Sequence, residues 1–213
     1  MLHLLPQTLK QIEFFRAVRG PHARPQFKYQ NLPDSARLAY ELVNWDNFTV
    51  YLDLFAQDTH PFVDQRFKIQ AELEEYMVGL LEYARLSPKR GGCDWFIRLL
   101  KTNEYIGVLH VYDLNKEIFE GFHPPCYLGY ALAEAHRKQG FAEEATRHLL
   151  EQIPLIFERY EVMAGCKPEN LASIALLEKL GFRQEIARTG RKTDFWYKKL
   201  TEGEIPPAKW DLD

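Results

Sequence analysis

Residues 127–145 read Y-L-G-Y-A-L-A-E-A-H-R-K-Q-G-F-A-E-E-A, and the period changes midway. Tyr127 to Ala133 mixes aromatic, aliphatic and small residues, which suits a strand. From Gly140, the residues Phe141, Ala145 and Leu149 fall one above another on a helix, which Pro154 is expected to end after Ile153. Between strand and helix, Arg137, Gly140 and Ala142 form R-x-x-G-x-A. A helix N-terminus carries unpaired amides and partial positive charge. Gly140 lets a ligand approach the backbone, Ala142 keeps the first turn small, and Arg137 and Lys138 add full charges. Such groups together would hold a pyrophosphate. A plainer reading stays open: a glycine that only tightens the turn, beside solvated basic side chains. The chain contains neither G-x-x-x-x-G-K-[ST] nor G-x-G-x-x-G, so this is neither a Walker A loop nor a dinucleotide fingerprint.

Downstream, Val162 to Cys166 reads as a strand. Pro168 and Asn170 open a helix that closes at Leu180-Gly181, with Gly181 as a left-handed cap. Arg183 to Arg188 and Asp194 to Leu200 read as a last hairpin. Upstream, Asp94 to Leu100 and Tyr105 to Tyr112 are strands joined by the hairpin-length loop 101–104. Gln70 to Leu86 predicts an amphipathic helix with Leu73, Met77, Leu80, Leu81 and Ala84 on one face. Ala36 to Val43 suits a strand, Asp46-Asn47 can cap a short helix to Phe55, and Asp58 to Phe67 is irregular. The order predicts an α/β (α+β) chain, a mixed sheet with helices on both faces. Residues 1–32 read as an N-terminal extension, 33–201 as one domain and 202–213 as a C-terminal tail. Within the extension, Leu9, Ile12, Phe15 and Val18 recur near helical spacing until Gly20-Pro21.

The 213 residues are 46% hydrophobic and 27% charged, which suits a globular protein and speaks against wholesale disorder. The net charge of −3 comes without a dense basic stripe, so no nucleic-acid partner is expected. The longest run free of Asp, Glu, Lys and Arg spans 13 residues, Gly121 to Ala133, and holds two prolines; no membrane partner is expected. Cys93, Cys126 and Cys166 are odd in number and widely spaced, which reads as reduced thiols and a cytoplasmic location. His123 and Cys126 lack a second pair, so no metal is expected.

The second segment that bears chemistry is Asn170 to Phe182, N-L-A-S-I-A-L-L-E-K-L-G-F, a capped core helix when taken alone. It follows R-x-x-G-x-A by about thirty residues, with a strand between. Together the two segments resemble the GNAT family of acetyl-CoA-dependent N-acetyltransferases. More narrowly, they resemble the branch that acetylates N-termini of ribosomal proteins and related amines. Arg137, Lys138, Gln139, Gly140, Phe141 and Ala142 match its [QR]-x-x-G-x-[GA] motif, and Glu144-Ala145 a Glu-Ala pair that often follows. Asn170, Ser173, Leu177, Gly181 and Phe182 fit its second motif, N-x-x-S-x-x-L-x-x-x-G-F.

The resemblance covers roughly Asp34 to Leu200. It implies a central, mostly antiparallel sheet and direct attack of a primary amine on acetyl-CoA in a ternary complex. Residues 137–142 would cradle the CoA pyrophosphate. Tyr130, Ala131 and Leu132 would pair through their main chain with the pantetheine arm, and Asn170 would bond near it. Many members place an acidic tyrosine where this chain has Leu177. Ser173 is then the candidate acid, and no base stands out. The acceptor pocket would fall to Trp45, Phe62, Phe67 and residues near Arg188 to Asp194. The resemblance allows a homodimer and does not name the amine. The alternative is a non-catalytic acyl-CoA-binding module acting as sensor or scaffold.

Overall fold

The computed structural model describes residues 30–84, 91–114, 125–185 and 193–200, with the side chains of 82–84 excepted. The extension before residue 30, the tail from 201 and the pair partner His123 lie outside the described residues.

Two hydrophobic faces build the fold. Along β2 (Gly92–Leu99), Cys93, Trp95 and Ile97 point to one core, while Phe96 points to the other. β3 (Tyr105–Tyr112) alternates likewise from Val108 onward, with Leu109 and Val111 on one side and Val108 on the other, and the register shift against Ile97 and Arg98 brings Ile106 to the side of Leu109. Side chains of a strand alternate in this way, so a sheet with two apolar faces needs a cover on each. On one face lie α1 (Val50–Phe55) and α2 (Gln70–Met77), through Tyr51, Phe55, Leu73 and Met77. On the other lies α3 (Phe141–Phe157), through Phe141, Ala145, Leu149 and Phe157.

The remaining elements are β1 (Leu38–Leu42), β4 (Cys126–Leu132), β5 (Glu161–Cys166), α4 (Leu171–Lys179), β6 (Arg183–Gln184) and β7 (Asp194–Lys199). Among the described residues they complete a seven-stranded sheet in the order β1-β2-β3-β4-β5-β7-β6. Each pairing is antiparallel except β4 with β5, so the sheet is mixed and mostly antiparallel, with helices on both faces, as expected.

Four local expectations differ. α3 does not stop at Pro154 but runs through it to Phe157, closing on a bond from Glu158 N to Pro154 O. An interior proline costs about 3 kcal/mol, but Ile153, Pro154 and Phe157 are all buried, and each large apolar side chain returns roughly 1.5–3 kcal/mol. The helix from Gln70 changes at Val78 into a π-helical turn through Ala84. Its apolar face still buries Leu73, Met77, Leu80 and Leu81, and Leu86 lies outside the described residues. α1 begins after Thr49, which makes no capping bond; Asn47 instead accepts from Asn44 N within the preceding turn. The last hairpin keeps only two residues in β6, and 186–192 lie outside the described residues. Gly181 takes the left-handed conformation expected of it (φ 81°), and Phe182 N reaches back to Leu177 O at 3.0 Å.

Candidate active site

β4 and β5 pair only at Cys126–Val162, Tyr127–Met163 and Leu128–Ala164. Beyond that point each strand stays with its other neighbour. β5 continues against β7, as far as Cys166–Asp194, and β4 against β3, as far as Leu132–Gly107. Gly107 has a part in the parting. A Cβ built there would lie 2.3 Å from Ala131 O and 2.6 Å from the Leu132 side chain. Only a glycine lets β4 settle so closely on β3 and draw away from β5. The side of residues 129–132 that faces β5 is left without a strand partner. A cleft of about 420 Å³ opens there, lined by Gly129, Tyr130, Lys167, Ser173 and the loop Pro61 to Gln65.

At one end of this wedge, a short 3₁₀ turn (Glu134–His136) leads into the start of α3. Lys138 and Gly140 take positive φ, 59° and 81°, and no side chain caps the first turn of α3. Its amides thus keep their capacity for an outside acceptor. The Arg37 guanidinium lies over the Phe141 ring, 4.5 Å from its centroid. Glu144 ties α3 to the chain entering β1, accepting from Ser35 Oγ at 2.8 Å, Arg37 N at 2.7 Å and Arg37 Nε at 2.6 Å. Burial works to raise the Glu144 carboxyl, but the bonds from Arg37 and Ser35 outweigh it and hold it below its ordinary range.

Arg137 is committed elsewhere. Its Nε donates to Leu132 O at 3.0 Å, and Nη2 pairs with Asp58, a buried carboxylate that also accepts from His60 N. The side chain thus clamps the end of β4 to the loop that lines the cleft.

Ser173 stands in the first turn of α4, whose cap is Asn170: Oδ1 accepts from Ser173 N at 3.2 Å. The Ser173 hydroxyl meets the Tyr130 hydroxyl at 2.7 Å. Burial is the main cause that pushes the Tyr130 phenol up to about 12, eased by the Ser173 bond, so it is a protonated donor near neutrality. Sequence reasoning assigned Tyr130 only a main-chain role. The register that turns its side chain toward Ser173 follows from pairing, which sequence does not display.

The structure separates the acceptor candidates. Phe62 lines the cleft, whereas Phe67 is a core residue and Trp45 packs edge-on against Phe48. Of Arg188 to Asp194, only Thr193 and Asp194 fall among the described residues. His136 is engaged with Glu104 at 3.1 Å. Cys126 is buried, which pushes its thiol up to about 12, unsuited to a nucleophile. Arg37 and Asp58 were missed; nothing in their local sequence marks residues that act across the fold. Among the described residues no cluster could hold a metal ion, and no helix is long and apolar enough to cross a membrane.

Residues 37–183 match the acetyltransferase (GNAT) domain family. A Bacillus subtilis protein that carries the name "Probable N-acetyltransferase YjcK" is 26% identical over 141 residues, 66% of this chain and 74% of its own length. Among solved structures, a spermidine N-acetyltransferase chimera of Vibrio cholerae SpeG and hSSAT superposes with a TM-score of 0.60 at 17% identity. It covers 77% of this chain and 96% of its own. The ribosomal alpha-N-protein acetyltransferase RimL, in complex with coenzyme A, superposes with a TM-score of 0.57 at 17% identity, covering 80% and 98%. Likenesses at such identity speak for the fold alone.

Proposed function

The chain belongs to the GNAT acetyltransferase family, and we propose that it moves the acetyl group of acetyl-CoA to a primary amine by direct attack within the wedge between β4 and β5. The observation that carries this reading is the parting of these strands after Leu128 and Ala164, with an uncapped helix start at one end and a paired Tyr130–Ser173 inside.

The pyrophosphate would rest on the amides of Gly140, Phe141 and Ala142, where a missing Cβ leaves room, with Lys138 and Gln139 beside it. The pantetheine arm would lie along the free edge of Tyr130, Ala131 and Leu132, close to Asn170. A backbone amide of that edge would receive the negative charge developing on the thioester oxygen. The amine nitrogen bonds to the carbonyl carbon and the carbon–sulfur bond breaks. The departing thiolate takes its proton from Ser173, which Tyr130 resupplies through their 2.7 Å contact.

Arg137 acts in this scheme by position, fixing the loop that faces the amine. Among the described cleft residues, Asp64 is the one carboxylate, and Arg66 occupies it. A polyamine needs several carboxylates, so this lining suits a single amine such as a protein N-terminus. Lys167 beside Phe62 adds a positive charge that would disfavour a second cation.

The test is calorimetric titration with acetyl-CoA and CoA, then thiol release with a serine-led peptide and with spermidine. Binding lost in Gly140→Glu, with peptide turnover above spermidine turnover, is the expected outcome. No binding to folded protein would overturn the placement, and binding without turnover of any amine would leave the acyl-CoA-binding module.

A further inference from the structure

The start of α3 carries two negative charges where an anion is to rest. Glu143 and Glu144 both stand in its first turn. Each is matched by a cation from another element. Lys179, the last residue of α4, meets Glu143 at 2.6 Å, and Arg147, one turn along α3, meets it at 3.2 Å. Arg37, which leads into β1, meets Glu144 through Nε at 2.6 Å. Arg137, the arginine of the R-x-x-G-x-A motif, is bound to Asp58 and to Leu132 O. The mouth of α3 therefore takes no charge from the residue that the motif offers for it.

Arg37 stands where Arg137 does not. Its Nη1 donates to Gln139 O at 3.4 Å, the carbonyl of the peptide that carries the Gly140 amide. Its Cζ lies over the Phe141 ring. Among the described residues beyond the adjoining chain, a Cβ built on Gly140 would have one heavy atom within 4 Å, and that atom is Arg37 Nη2, at 3.5 Å. Three contacts thus fix the guanidinium: Glu144 on Nε, Gln139 O on Nη1 and the Phe141 ring. Nη2 makes no hydrogen bond among the described residues, and the side chain is half exposed. An arginine presents five N–H donors in a planar fork. The tie to Glu144 uses the inner nitrogen and leaves the outer one at the open side of Gly140.

We propose that Arg37, positioned by Glu144, is the cationic ligand of the CoA pyrophosphate. The amides at the start of α3 offer only partial charge. The guanidinium adds a full charge and a directed donor, Nη2, beside the same glycine. Glu144 accepts from Ser35 Oγ, Arg37 N and Arg37 Nε, so it fixes both the main chain and the head of this arginine against α3. Arg37 in turn cancels the carboxylate that would otherwise repel the phosphates. The motif and its charge thus come from different parts of the chain: Arg37 lies 102 positions before Gln139.

This inference rests on the acetyltransferase reading, and the experiment separates their failures. The full chain, Arg37→Gln, Arg37→Lys and the double variant Arg37→Gln, Glu144→Gln are titrated calorimetrically at low and high salt. The probes are acetyl-CoA, CoA and dephospho-CoA, which keeps the pyrophosphate and lacks the 3′-phosphate. Arg37→Gln leaves Glu144 its bonds from Ser35 Oγ and from the main-chain N of residue 37, so the variant keeps the fold. The expected result is an affinity for acetyl-CoA lowered by about 10- to 100-fold. The loss shrinks at high salt, as a contact between charges requires and a purely structural role does not. CoA and dephospho-CoA lose affinity by the same factor, and Arg37→Lys, which keeps the charge without the fork, recovers part of it. The double variant stays weak, because the donor is still missing. Wild-type affinity in Arg37→Gln, a loss that salt does not change, or a loss absent with dephospho-CoA overturns the proposal and leaves the acetyltransferase reading intact. Full recovery in the double variant also overturns it, by showing that Arg37 only cancels Glu144. No acetyl-CoA binding by the folded wild-type chain removes both.

Discussion

Arg137→Ala separates two roles for one residue, a phosphate ligand and an internal clamp. The structure favours the clamp. The partner Asp58 has a side chain only 2% exposed, and Arg137 also satisfies Leu132 O. Removing the guanidinium strands a buried carboxylate, which costs about 3–5 kcal/mol, more than the intact pair contributes. For a chain of this length each kcal/mol moves the melting temperature by about 2–4 °C, so a drop of roughly 10 °C is expected. The loop from Asp58 to Gln65 would loosen with it, raising the KM for the amine more than that for acetyl-CoA. The double variant Arg137→Met, Asp58→Leu leaves no stranded charge and should recover most of the lost stability. Thermal unfolding by circular dichroism, with acetyl-CoA titration on the same samples, reads both effects. Wild-type stability in Arg137→Ala, joined to a tenfold loss of acetyl-CoA affinity, would refute the clamp and return Arg137 to the phosphates.

Three further outcomes follow from the geometry. Gly107→Ala places a Cβ 2.3 Å from Ala131 O, a backbone atom with no room to yield, so soluble expression should fall sharply; normal expression and melting would show that β4 does not need this approach. Ser173→Ala should lower kcat about 10- to 100-fold with little change in the KM for acetyl-CoA, and Tyr130→Phe should lower it less. Equal kcat in both variants and wild type would remove the pair from the chemistry. Glu144, held below its ordinary value of 4.5, contributes stability that is present above that value and lost as pH falls through the lower, folded one. Glu144→Gln should therefore flatten the melting profile below about pH 4.5, and an unchanged acid slope would deny the Arg37–Glu144 tie that role.

The sheet and its helices were legible because β2, β3 and α3 carry clean periods of two and of 3.6. The motif residues 137–142 were legible as a place, the mouth of α3, but the direction of each side chain was not. Arg137 turns inward because Asp58, 79 positions earlier, is buried beside it, and no local pattern announces a partner so far away. Pro154 misled for a related reason: a local breaker rule met buried Phe157, and tertiary packing prevailed. Nothing in the local sequence marks Gly107 or Gly129. Their meaning lies in what crosses from the neighbouring strand, Ala131 O in one case and the His110 ring in the other.

These two glycines also make different demands on the sheet that parts. A continuous ladder between β4 and β5 would occupy the edge of residues 129–132 and close the cleft that Tyr130 and Ser173 line. Gly107 lets β4 settle on β3 and leave β5, and Gly129 leaves room for the His110 ring packed against it. A larger residue at 107 would close the wedge by forcing β4 back, whereas one at 129 would press on the His110 ring behind it. The two positions therefore make different demands. Position 107 governs whether the chain folds with a cleft, and position 129 how closely β4 packs over the His110 ring.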